Sequence, residues 1–110
     1  MLDVAVSTRP AEIRTLVIDR NLLESRAFVR HAQMQTNGAH IEPLFGDAGW
    51  LWFERLSCDA LRSSYAISGL TRFADAFVLT QLGAGIGMCA TRRMLDEDAV
   101  LWTMAHRPVV

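Results

Sequence analysis

Between Ala11 and Gln35 apolar residues recur at spacings near 3.6, in two adjoining stripes. Ile18, Leu22, Val29 and Ala32 form one stripe; Leu16, Leu23, Ala27 and Met34 form the other. Arg14, Asp19, Arg20, Glu24, Arg26 and Arg30 take most of the remaining circumference. Thr8 or Ser7 can cap such a helix, Pro10 suits its first turn, and Glu12 complements the positive end of its dipole. Thr36-Asn37-Gly38 closes it, because Asn and Gly tolerate positive φ. The pattern predicts one long first helix. A competing parse makes Thr15–Ile18 a short strand, with Asp19 capping a shorter helix.

His40 to Gly46 holds Pro43, Leu44 and Phe45 and reads as a connection. Asp47 then caps a second helix through Arg62, carrying Trp50, Leu51, Trp52, Phe53, Leu56 and Leu61. Residues 50–53 point four ways around a helix. That segment must be sandwiched between elements or present an aromatic to a partner. Ser63-Ser64 and Ser68-Gly69 punctuate the chain before a third helix, about Gly69 to Leu82, that packs Leu70, Phe73, Ala74, Phe77 and Val78. Gly83-Ala84-Gly85-Ile86-Gly87 breaks it or permits close packing. Asp96-Glu97-Asp98 opens a last helix, Ala99 to about Arg107, which Pro108 stops. The expected fold is mostly α: one helical domain over 1–110, a small bundle of about four helices, with flexible ends near 1–7 and 108–110. Thr15–Ile18 is the only segment with a strand reading.

Composition sharpens this picture. Hydrophobic residues make up 51 % of the 110 positions before the seven glycines are counted. An average globular chain reaches roughly 45–50 % with glycine included. A domain this small buries roughly two-thirds of its unfolded surface. Three Trp, five Phe and five Met are hard to enclose in so little interior. Apolar surface left over marks an interface with another chain. A dense monomeric core is the rival expectation.

Charge argues by subtraction. The net charge is −1, from 11 cations and 12 acids with interspersed signs. No basic stripe exists to neutralise phosphates along a strand, which argues against direct nucleic-acid binding. Every cation is Arg, as a GC-rich bacterial genome would encode, and Arg also suits interfaces through its planar, weakly hydrated fork. Cys58 and Cys89 are too few for a disulfide scaffold and form no Cys-x-x-Cys pair. The start, Met1-Leu-Asp-Val-Ala-Val, lacks the basic region and apolar stretch of a signal peptide. A cytoplasmic protein with reduced thiols is expected, with a Cys58–Cys89 bridge left open.

Candidate chemistry is sparse. Gly83-x-Gly85-x-Gly87 lacks the spacing of a dinucleotide fingerprint and the Lys-Ser/Thr of a phosphate loop. Ala76 to Ala90 carries no charge, but fifteen residues are too few to span a bilayer. His31, His40 and His106 are scattered, and only His40-x-Glu42 sets two ligand types close together, short of a metal site. Cys58, between Ser57 and Asp59, has no evident activating His. No catalytic, cofactor or metal site is assigned. Aromatic residues and Arg dominate binding energy at protein interfaces. The partner-binding set is accordingly Trp50, Trp52, Phe53 and Arg55, with Phe73 and Phe77 from the third helix. Core packing claims two of the four side chains Trp50–Phe53, and whichever Trp remains is the anchor.

In length, Arg-only composition, expected helical order and the apolar segments Phe45–Leu56 and Phe73–Gly87, the chain resembles the small helical anti-activators of proteobacterial quorum sensing. Those proteins bind a LuxR-type transcription factor and keep it from dimerising or binding DNA. The resemblance implies a homodimer offering an apolar face to its partner, and it transfers no site residue. The expected function is therefore non-enzymatic: a bacterial cytoplasmic module that binds and occludes a regulatory protein. One rival is a small enzyme or ligand-binding domain with a pocket between Trp50–Phe53 and Gly83–Gly87. Another is a subunit of a larger assembly.

Overall fold

The computed structural model describes residues 12–22, 24–35, 38–61, 65–95 and 98–106. Five strands form one mixed sheet. β1 is Glu12–Ile18, β2 His40–Pro43, β3 Tyr65–Arg72, β4 Met88–Met94 and β5 Ala99–His106, in spatial order β2-β1-β3-β5-β4. β1 runs parallel to both β2 and β3, whereas β5 is antiparallel to β3 and β4. Three helical segments connect them. α1 spans Ser25–Gln35 and α3 spans Phe73–Ala84. α2 starts as Ala48–Leu51, widens into a π turn at Trp52–Leu56 and finishes as Ser57–Ala60.

The expectation of a mostly α, four-helix bundle is overturned. The proposed first helix is a strand followed by a shorter helix, as the competing parse had it. Thr15-Leu16-Val17-Ile18 lies fully buried. β-branched residues lose rotamer freedom in a helix and suit a strand covered on both faces. Asp19 does not cap α1. Its carboxylate accepts from the Asn21 N–H at 3.0 Å, and the Ser25 hydroxyl donates to the Asp19 carbonyl.

The expected third helix begins late, at Phe73, because Gly69 to Arg72 completes β3. The expected last helix is the strand β5. There Val100, Trp102 and Met104 are buried while Leu101, Thr103 and Ala105 are half-buried, a two-residue alternation. Only the second helix stands nearly as expected. Asp47 accepts from the Trp50 N–H at 2.9 Å, and α2 is described as far as Ala60. The proposed first cap at Ser7 or Thr8, the closing Thr36-Asn37, Arg62, Ser63-Ser64, Asp96-Glu97, Arg107, Pro108 and the ends at 1–7 and 108–110 lie outside the described residues.

Strand register assigns the faces. Val17, Ile67, Trp102 and Met104 share one face, where they join Leu51, Trp52 and Leu56 of α2 and Ala76 and Leu79 of α3 in the core. Gly83 lets α3 approach the sheet, since a Cβ there would collide with the Met104 sulfur at 2.5 Å. Leu16, Ile18 and Ile41 point to the opposite face, beside α1. Right-handed crossovers account for this split: β1-α1-β2 and β2-α2-β3 step across the sheet in opposite directions. No described helix covers the α1-side face of β5 and β4, where Cys89, Thr91 and Arg93 are exposed.

Candidate functional site

The buried side of α2 runs through Ala48, Leu51, Trp52, Leu56 and Ala60 at helical spacing. Trp52 and Leu56, four residues apart on one side of the helix, both enter the core, and the Ser57 N–H reaches back to the Trp52 carbonyl across the π turn. Trp52 is 4 % exposed, whereas Trp50 is 55 % and Phe53 70 % exposed. Trp52 thus leaves the predicted partner-binding set. Trp50 is the tryptophan of the pair that stays exposed.

α2 and α3 both leave the carboxyl edge of the parallel strands, and the first turn of α2 packs on α3. The outward side of α3 carries Phe73 and Phe77, each 48 % exposed, with ring centroids 6.5 Å apart and planes 27° from parallel. Val78 is also exposed. Helix α3 is mostly apolar, Asp75, Thr80 and Gln81 being its polar residues, yet only Ala76, Leu79, Thr80 and Gly83 are enclosed. Arg55 is exposed on α2. Among the described residues it has no carboxylate partner. Five of the six predicted partner-binding residues therefore lie exposed on the two helices of one layer: Trp50, Phe53, Arg55, Phe73 and Phe77.

Sequence reasoning missed a second cluster, at the carboxyl ends of β1 and β3. Arg72 Nε lies 3.8 Å from Asp19 Oδ2 and 3.9 Å from Asp98 Oδ2. Asp98 also accepts from the Phe73 N–H, through Oδ1 at 3.3 Å and through its carbonyl at 3.1 Å. Asp75, one turn into α3, faces the same group. Burial, the Asp19 charge and the Asp98 charge push its carboxyl above the ordinary 3.8, against the opposing pull of Arg72. Recognising Leu16-Val17-Ile18-Asp19 as a strand ending in an acid would have exposed this cluster.

Other expectations resolve simply. The segments Trp50–Phe53 and Gly83–Gly87, expected to flank a pocket, lie towards opposite ends of the helical layer. Gly87 sits by His106, whose ring contacts the Ala60 carbonyl at the far end of α2. Gly83 is the close-packing helical residue, and Gly87 turns the chain with φ +93°. His40 pairs with Glu42 at 2.6 Å. Among the described residues no cluster of three metal-ligating side chains exists. Cys58 and Cys89 are both exposed and are not bridged. No described helix is long and apolar enough to cross a membrane. Comparisons with protein-family models, curated proteins and solved structures find no match for this chain.

Proposed function

We propose that the protein is a non-enzymatic interaction module that uses the outer face of α2 and α3 to bind and occlude another protein. The supporting observation is the exposure of Trp50, Phe53, Phe73 and Phe77 on one helical layer. Aromatic side chains hold large area with few rotatable bonds, so ordering them costs little and burying them gains much. Arg55 adds a charged group that suits an acidic residue at the partner's rim. A standard interface takes about 800 Å² from each partner, within reach of two adjacent helices. The mixed sheet removes the helical order that linked this chain to the anti-activators. The partner is therefore defined by its chemistry, an apolar groove edged by acid, and a regulatory protein remains the class proposed.

The test combines sedimentation velocity of the pure protein with affinity capture from extracts of the source cells. Both are repeated with Trp50→Ser and Phe77→Ser. A complex, with a second copy or another protein, is expected for wild type and should weaken at least about tenfold in each variant. Unchanged complexes in both variants, or a monomer that captures nothing, would overturn the reading.

A second reading has its own observation. In open α/β sheets ligands bind beyond the carboxyl ends of parallel strands, where the winding reverses. The group Asp19, Arg72, Asp75 and Asp98 sits there, with one carboxyl held above its ordinary value. Perturbed carboxyls at such a position favour a small enzyme or ligand-binding domain. Thermal stabilisation by a metabolite panel, lost in Asp75→Asn, would favour this reading over the first.

A further inference from the structure

On the α1 side of the sheet, away from the aromatic layer, a cavity of about 720 Å³ opens between α1 and the β1–β2 edge. Ile18 and Ile41 form its floor from the two strands, and Val29 of α1 closes one wall. Arg20, just past the end of β1, and Arg26 and Arg30, one turn apart on α1, line the rest. No carboxylate lines the cavity among the described residues, and none pairs with any of these three guanidinium groups.

Such an arrangement is slightly unfavourable for the free protein. Like charges one helical turn apart repel, and Arg26 and Arg30 have that spacing without an acid between them. A bound anion would relieve the repulsion. Planar guanidinium forks hold phosphate oxygens in pairs and also stack on flat rings. The branched aliphatic floor accepts an apolar ring, and Gln33 on the same wall offers an amide to a ring edge. Ligand sites for small molecules span roughly 300–1,000 Å³, so the volume fits one molecule of that size.

We infer that this groove binds a small phosphorylated molecule with a flat, apolar ring, in the class of nucleoside phosphates. Phosphates sit against Arg20, Arg26 and Arg30, and the ring lies on Ile18 and Ile41. The inference stands on this groove alone and shares no residue with the aromatic face.

The experiment titrates ADP, adenosine and inorganic pyrophosphate, without metal, into the full chain by calorimetry. Backbone amide NMR of α1 follows the same titrations. ADP should bind and shift the α1 amides, with adenosine and pyrophosphate each at least about tenfold weaker. Arg26→Gln/Arg30→Gln should weaken ADP at least about tenfold while keeping the fold, since Gln is a good helix former and the variant removes a repulsion. Four results would overturn the proposal. They are no ADP binding at millimolar concentration, unchanged affinity in the double variant, pyrophosphate binding as tightly as ADP, and displacement of ADP by a short single-stranded oligonucleotide at lower concentration than ADP itself needs.

Discussion

Trp50 and Trp52 are two residues apart and play opposite parts. Trp52 is enclosed by the core, so Trp52→Ala should cost about 3–5 kcal/mol, the range for deleting a large buried aromatic. Trp50→Ala removes a side chain more than half in water and should change stability by no more than about 0.5 kcal/mol. Urea denaturation of the two variants side by side checks the contrast. Asp75 makes a different kind of statement. Its carboxyl titrates above the ordinary 3.8 in the folded chain, chiefly through burial and then through Asp19. The folded state therefore holds this proton more tightly than the unfolded state. Stability from this group is greatest at low pH and falls as pH rises from about 3.8 through the folded value. Asp75→Asn should melt higher than wild type at pH 7, and the advantage should shrink towards pH 3.8 and below. An equal difference at both pH values would refute that linkage.

At the level of elements, β3 and β5 were the hardest to read. Ser68-Gly69 looks like punctuation, yet Gly69 lies inside β3 because the Trp102 ring crosses its position. A Cβ there would meet that ring and come within 2.9 Å of the Val17 carbonyl oxygen. Gly69→Ala should cost about 1–3 kcal/mol through overpacking, less a small entropic return, with a changed near-UV circular dichroism from Trp102. The sequence around β5 reads as a helix, because acids before Ala99 and His106 near its end are signals of helix ends. Its alternation of Val100, Trp102 and Met104 with Leu101, Thr103 and Ala105 was present in the sequence but was outweighed. α2 was legible almost residue by residue, since the Asp47 cap and the bulky run act locally. Its π turn was not.

For the molecule as a whole, the surplus of apolar side chains was legible, and the sheet that arranges them was not. Composition reports how much must be buried but says nothing of which strands pair. Here those pairings join residues as distant as Glu12 and Tyr65. The three α/β crossovers place the aromatic helices and the arginine-lined cavity on opposite faces, so the proposed partner and the proposed ligand need not compete for space. The strand order carries one more consequence, for how the chain is made. β5 is made after the other four described strands, yet it lies inside the sheet between β3 and β4 and delivers Trp102 to the core. Until it emerges, β3 has a bare flank and β4 has no neighbour, so a nascent polypeptide that lacks β5 stays open and exposed to chaperones or aggregation.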